Sequence, residues 1–368
     1  ESLSTMSQTI LVAGGAGYIG SHFCKLAAEK GYIPVTIDRL TSPSPRVEAF
    51  RRSAVQWGPL EVADIGDANT ILGITQKYKP VAAICFASLI EVGESVANPE
   101  LYWENNFYKV MRFFKALEHG KLRNVVFSST AAVYGNPISS QPLVEDDALA
   151  PINPYGMTKL ACEVGLQGIS SRCEASDTFI DELSRRALKL DDAYPEFRIS
   201  FFPCLRNVIF RYFNAAGADS AGVIGEMHEP ETHLIPNAIF AAQGARNTKF
   251  TLNGTDYPTP DGTCVRDFVH VEDLAQAHIL GLEYLLGGGK SDVFNLGTGK
   301  GNSVNQIIDS VKKVTSNDFT VHEGPRRVGD PAYLVANADK AERILGWKPT
   351  HGLDDIVTSA AAFHERHD

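Results

Sequence analysis

The sequence has no Cys-x-x-Cys pair, no Cys/His spacing suited to zinc, and no apolar run approaching the roughly 20 residues of a membrane span. Its six cysteines (Cys24, Cys85, Cys162, Cys173, Cys204, Cys264) are scattered, several inside apolar runs such as "VAAICFA". They read as reduced, buried thiols rather than a disulfide framework. Positive charge is also in deficit: the net charge is -10. That excludes a nucleic-acid backbone or an anionic membrane as the expected partner, while leaving room for a small anion held by a few local arginines. Repeats and low-complexity tracts are missing. The opening "ESLSTMSQ" lacks the apolar core of a secretory signal, and Met6 is compatible with either an internal or a native start, so a cytoplasmic location is expected.

What remains is an ordinary globular composition, 44% hydrophobic and 21% charged over 368 residues, enough for one large or two modest domains. "TILVAGG", "IPVTID", "VAAICFA" and "NVVFSST" are short apolar runs separated by longer helical patterns, the first of them "SHFCKLAAEKG", ending at Gly31. Continuous apolar strands alternating with helices predict a parallel sheet covered on both faces, an α/β doubly wound arrangement. From about Asn214 the pattern loosens into glycine- and proline-rich segments. The division expected is therefore 7–213 for the sheet domain and 214–368 for a smaller α/β domain. One stretch, about 165–207, fits poorly. "RISFF" and "NVIFRYF" both read as strands where one is needed, and "DTFIDELSRRALKL" reads as an amphipathic helix capped by Asp177. An insertion is expected there.

Between the first strand and first helix, "GGAGYIGSH" places Gly14, Gly17 and Gly20 in G-x-x-G-x-x-G spacing. Such glycines permit a tight turn and close backbone approach, with a helix N-terminus facing a pyrophosphate. Alone the triplet is a common turn; its strand–turn–helix setting makes it a dinucleotide (Rossmann) fingerprint. Asp38 ends the second strand about 20 residues on, where a carboxylate accepts from the ribose 2′-hydroxyl and favours NAD over NADP. Arg39 beside it is the competing feature, because an arginine suits a 2′-phosphate. In "NPYGMTKLACE", Tyr155 and Lys159 share one helix face. By themselves they are an ordinary solvated pair; with "FSST" ending a strand ahead of them they become candidate catalytic groups.

The blocks "GGAGYIGSH", "VGES", "VVFSSTAAVYG", "NPYGMTK", "RYFNAAGA", "GTDYPTPDGTCVRDFVHV", "FNLGTG", "PRRVGDPAY" and "LGWKP" occur in this order. Together the chain resembles the UDP-glucose 4-epimerases, which are extended short-chain dehydrogenase/reductases. The resemblance runs from Thr9 to about Leu353, leaving out the expected insertion. Its glycine loop and Tyr-x-x-x-Lys are shared by the wider superfamily, whereas "DYPTPDGTCVRD" and "PRRVGDPAY" are specific to the epimerases. The resemblance implies a bound NAD with Tyr18 and Ile19 along the pyrophosphate and Asp64 and Ile65 at the adenine. It places Phe86, Ala87 and Asn105 further along the cofactor, and Ser128 near the nicotinamide. It implies Tyr155 as the base on the sugar 4′-hydroxyl, Lys159 hydrogen-bonding the nicotinamide ribose, and Thr130 on the same sugar oxygen. Asn214, Leu234, Arg266, Arg327 and Asp330 match residues that hold UDP. Bulk at Tyr333 implies glucose and galactose rather than their N-acetyl relatives.

A tyrosine with its usual pKa of about 10 is a poor base, so the expectation is that the Lys159 ammonium and the nicotinamide charge lower it. Departures from the family pattern are Ile90, where many relatives place a lysine against the cofactor, and Phe268 for a tyrosine. A nucleotide-sugar 4,6-dehydratase needs an acid and a base after the threonine; Ala131 and Ala132 stand there instead. UDP-xylose/UDP-arabinose epimerisation stays open because its chemistry is identical. So does a catalytically silent NAD-binding regulator, because of the insertion after the catalytic helix. No metal is expected, Phe113, Phe114 and Trp347 are read as packing, and the resemblance implies a homodimer built on helices near 100–118 and 155–168.

Overall fold

The structure, a computed structural model, describes residues 7–42, 44–137, 139–171, 205–245, 249–327 and 330–367. The first half runs Thr9–Ala13 (β1), Tyr18–Glu29 (α1), Ile33–Asp38 (β2), Pro45–Ser53 (α2), Leu60–Val62 (β3), Ala68–Tyr78 (α3) and Ala82–Cys85 (β4). Val92–Ala97 (α4), Pro99–Tyr102 (α5), a π-helical stretch Trp103–Tyr108, Lys109–His119 (α6) and Asn124–Ser128 (β5) follow. After Pro154–Ser171 (α7) and Arg206–Tyr212 (β6) come Asn214–Ala216 (β7), Leu234–Gln243 (α8), Phe250–Asn253 (β8), Val265–Arg266 (β9) and Phe268–His270 (β10). The chain closes with Val271–Leu286 (α9), Asp292–Leu296 (β11), Asn302–Ser303 (β12), Val304–Thr315 (α10), Val321–Gly324 (β13), Tyr333–Leu334 (β14), Asp339–Leu345 (α11) and Leu353–His367 (α12).

Seven of these strands form one parallel sheet in the order β11-β6-β5-β4-β1-β2-β3. The doubly wound fold expected from the apolar runs is therefore present. Its strand order reverses between β1 and β4, the place where such sheets open a crevice for ligands. Along β1 the side chains alternate: Leu11 joins a core with Val35, Phe113, Phe114, Phe127 and Leu166, while Ile10 and Val12 join Phe23, Phe210, Phe294 and Trp347. The aromatics read as packing are indeed buried, and Trp347 also donates its indole N–H to the Asp273 carbonyl at 2.8 Å. The outermost strand, β11, lies far beyond residue 213, so the large sheet draws on both sides of that division. A third core built on Ile235, Ile239, Phe268, Ile307 and Val357 supports the smaller sheets.

Local chemistry explains where elements begin and end. Helix α1 starts three residues ahead of the expected Ser21, because the glycine turn lets the chain enter the helix at Tyr18. It stops before Gly31, whose φ of 87° is left-handed. Helix α7 continues through Gly165 and Gly168, which are poor helix formers. A Cβ on Gly165 would lie 2.7 Å from Cε of Met111, so the missing side chain lets α7 close on α6. Of the expected insertion, only the end of α7 and the start of β6 fall among the described residues; "RISFF" and the helix from Asp177 lie outside them. Among the described residues, Cys24, Cys85, Cys162 and Cys264 are buried free thiols. No helix there is long and apolar enough to cross a membrane.

Candidate active site

The glycine turn sits at the carboxyl end of β1 and fits a dinucleotide on three counts. Gly14 takes φ 78° and donates to the Ile37 carbonyl at 2.8 Å; a Cβ there would lie 2.7 Å from the Ala87 nitrogen. A Cβ on Gly20 would lie 2.2 Å from the Gly14 carbonyl oxygen, so neither position admits a side chain. Gly17 caps α1 with no side chain bonded to its first N–H groups and no acidic residue in the first turn, leaving that positive end open to an anion. Asp38 closes the turn from β2, accepting from Ala16 N at 3.2 Å and Leu40 N at 2.8 Å. The competing Arg39 bonds Asn105 Oδ1 at 3.2 Å and reaches Asp64 at 3.6 Å, two residues that the resemblance places along the cofactor. Asp64 also pairs with Lys109 at 2.6 Å, which together with the Gly66 N–H holds its carboxyl below the usual range against burial. Ile65 is buried beside it, and Phe86 and Ala87 follow β4 past the turn, with Phe86 packed 4.7 Å from the His278 ring. Tyr18 and Ile19 open α1, and the Tyr18 phenol donates to the Gly217 carbonyl at 2.6 Å.

On the other side of the reversal, β5 ends at Ser128; Ser129 and Thr130 follow it, and α7 brings Tyr155 and Lys159 over them. All of them are buried, Tyr155 at 9% exposure and Lys159 at 3%. Lys159 Nζ donates to the Ser128 carbonyl at 2.9 Å and lies 5.1 Å above the Phe127 ring. His278 fixes the Ser128 hydroxyl. Its Nδ1 must donate to the Leu274 carbonyl (2.8 Å), so its Nε2 accepts from Ser128 Oγ at 2.9 Å. Thr130 caps the short 3₁₀ turn Ala131–Tyr134, accepting from Ala132 N at 3.2 Å.

The expectation that Lys159 lowers the Tyr155 pKa is corrected here. Burial raises the phenol above 10, a hydrogen bond to the Thr130 side chain works the other way, and the ammonium is turned to Ser128 instead. Burial also depresses Lys159 itself, with the charges of neighbouring thiols and Glu163 opposing.

Sequence reasoning passed over what holds α7 in place. Glu163, one turn beyond Lys159, accepts from Arg211 Nη2 at 2.7 Å and Nε at 3.1 Å, and from the Ser129 hydroxyl. Arg211 Nη1 donates to the Tyr134 phenol at 3.1 Å and the Glu145 carbonyl at 3.0 Å. The available signal was the helical spacing Tyr155–Lys159–Glu163 along one face.

On the smaller domain, Arg266 ends β9 and pairs with Asp330, while Tyr333 opens β14 in register with Val265. Burial holds the Cys264 thiol above its ordinary pKa, with the charges of Arg266, Asp330 and Arg327 as lesser influences, and Asp330 N donates to the Arg327 carbonyl at 3.2 Å. Asn214 N donates to the Asp267 carbonyl next to Arg266 at 2.9 Å, Leu234 heads α8, and Phe268 is buried in β10. Ile90 is exposed. Sequence reasoning also missed Asp267, fully buried and accepting from Thr298 N and Oγ1, Gly299 N and Ala336 N.

A family model described as the NAD dependent epimerase/dehydratase family matches residues 10–297. The chain is 44% identical to a UDP-glucose 4-epimerase of Rhizobium meliloti (strain 1021), over 98% of each. A solved structure of UDP-glucose 4-epimerase from Brucella ovis in complex with NAD superposes with TM-score 0.82 at 41% identity, covering 97% of this chain and 98% of that one. A UDP-glucose-4-epimerase from Stenotrophomonas maltophila, with bound NAD and formylated UDP-arabinopyranose, superposes with TM-score 0.85 at 32% identity over 98% of both chains.

Proposed function

The chain belongs to the NAD dependent epimerase/dehydratase family, and from that premise we infer that it is an NAD-dependent enzyme inverting C4 of a UDP-sugar, interconverting UDP-galactose and UDP-glucose. One observation supports this reading: the glycine turn, in which Gly14 and Gly20 admit no side chain, follows β1, and the buried Lys159 beside Tyr155 bonds the end of β5, two strands away across the strand-order reversal of one sheet.

NAD, when bound, accepts a hydride from sugar C4 and returns it, so the net reaction is redox-neutral. Gly14, Gly17, Tyr18, Ile19 and Gly20 hold its pyrophosphate, Asp38 its adenosine ribose, and Asp64 and Ile65 its adenine. Phe86, Ala87, Asn105, Ser128 and Lys159 hold the remainder. Tyr155 takes the proton from the sugar 4′-hydroxyl and later gives one back, with Thr130 bonded to the same oxygen. Because burial opposes the phenolate, the Thr130 hydrogen bond, together with the charge a nicotinamide would bring, is what makes Tyr155 a usable base. Asn214, Leu234, Arg266, Arg327 and Asp330 grip the UDP, the arginines through bidentate contacts to phosphate. A firm diphosphate and a loose sugar let the ring present either face, and Tyr333 limits its size. Exposed Leu101, Met157 and Val164 on α5 and α7 support a homodimer on these helices.

The test is to give purified protein UDP-galactose without added NAD and follow UDP-glucose by chromatography. Conversion is expected; none, even with NAD supplied, sinks the enzyme reading and leaves a silent NAD-binding protein. Competition between UDP-glucose and UDP-xylose decides between hexose and pentose.

A further inference from the structure

Four side chains from one short loop, Glu226, His228, Glu231 and His233, converge beside the first turn of α1, and no role proposed above uses them. Each offers one ligand atom, and these atoms all lie within 4.8 Å of one another. His228 Nδ1 is 3.3 Å from Glu226 Oε1 and 3.9 Å from Glu231 Oε1; His233 Nδ1 is 2.6 Å and 3.4 Å from the same two oxygens. Ligand atoms about 2.0–2.2 Å from a tetrahedral ion sit roughly 3.4 Å apart, so two of these four separations match that value, one needs to shorten and one to widen.

The directions matter more than the distances. Both Nδ1 atoms and Glu231 Oε2 are buried and make no hydrogen bond. Nitrogen and carboxylate oxygen thus crowd together without a proton aimed between them. A buried polar atom left unpaired is costly, and three in one cluster call for a common partner. The Glu231 and Glu226 side chains are only 4% and 7% exposed. Two buried carboxylates thus share that space with two imidazoles.

The loop is also braced as a ligand shell is. Glu231 Oε1 accepts from Thr232 N and His233 N, both at 2.9 Å, which orients its carboxylate. Glu229 is held from outside by Arg46 at 3.1 Å, and Thr232 Oγ1 donates to the Glu91 carboxylate at 2.8 Å. These contacts hold both flanks and turn the four remaining side chains inward. The opposite wall is Tyr18, whose phenol burial raises well above 10, with the charges of Glu226 and Glu231 adding to it.

We propose that Glu226, His228, Glu231 and His233 bind one divalent first-row transition ion, with zinc the best match to an N₂O₂ set. Imidazole ligands disfavour magnesium and calcium. The ion ties the loop at 226–233 to the start of α8, where His233 is the N-cap and Leu234, proposed above to touch UDP, is the first helical residue. It is a structural site: all four ligands come from the protein.

The experiment uses the whole chain and does not depend on epimerase activity. Protein dialysed against a chelator is titrated with zinc by calorimetry and with cobalt by visible absorption. One equivalent per chain is expected, with cobalt d–d bands of four-coordinate intensity. His228→Asn and Glu226→Gln are each expected to weaken binding at least 10-fold and to remove the metal-dependent rise in melting temperature. A His351→Ala control, in the separate group His270, Glu272 and His351, is expected to bind as the unaltered chain does. Less than stoichiometric binding by the unaltered chain overturns the proposal. So does binding unchanged in both loop variants, or binding lost only in the control.

Discussion

The catalytic helix is pinned through Glu163, and removing that carboxylate is a severe test of the structure. Glu163 and Arg211 have side chains 1% and 4% exposed, so neither charge is shared with water. In Glu163→Ala, the Arg211 guanidinium keeps Tyr134 and the Glu145 carbonyl but loses its counter-charge, and the Ser129 hydroxyl loses its acceptor. An uncompensated buried charge of this kind costs about 3–5 kcal/mol. The attraction itself contributes little net stability, because bringing both ions out of water offsets most of it. Glu163→Met combined with Arg211→Met therefore recovers at least about 2 kcal/mol of the single variant's loss. Urea unfolding followed by circular dichroism measures both. A loss below about 1 kcal/mol in Glu163→Ala, or a double variant no more stable than the single, refutes the claim that this pair is a buried, mutually dependent strut.

Tyr155→Phe removes the proposed base and is expected to lower turnover of UDP-galactose by about 10²–10⁴-fold while bound NAD is unchanged; full activity refutes the assignment. Gly14→Ala places a methyl group 2.7 Å from the Ala87 nitrogen at a φ of 78°, so bound NAD, released by heat and measured by absorbance, should fall to a trace; wild-type content contradicts the turn geometry. His22 and His278 are buried neutral, and burial lowers each from 6.5 to about 4. The unfolded chain takes up protons below pH 6.5 that the folded chain refuses until about 4. The contribution of these two histidines should be flat above pH 6.5 and fall by up to about 3 kcal/mol each across that window. Flat urea midpoints from pH 7 to 4.5 count against it.

The parts of the site legible in the sequence were those written in short spacing. Gly14, Gly17 and Gly20 announce a turn because glycine is required there, and Tyr155 and Lys159 meet because a helix turn spaces them. What escaped depends on partners far apart in the chain. Ser128 is fixed by His278, Glu163 by Arg211, and Asp267 by Thr298 and Ala336; nothing local to any of these residues announces its partner. The Tyr155 environment was misjudged for the same reason. A spacing of four says the side chains share a face, but whether the ammonium points to the phenol or to the Ser128 carbonyl depends on what β5 presents.

The position of β11 has a consequence for how the protein is made. Strand β6 is an inner strand of the finished sheet, but its outer neighbour is Asp292–Leu296, translated later. At about 5–20 residues per second, residues 213–296 take on the order of 10 s to emerge from the ribosome. For that interval the nascent sheet ends in an unpaired β6 whose apolar Val208, Ile209 and Phe210 lack their finished burial. Helix α9, which covers the same region, also arrives within that interval. The growing chain thus carries an exposed apolar edge for that interval, and slowing translation between codons 213 and 296 should raise its aggregation.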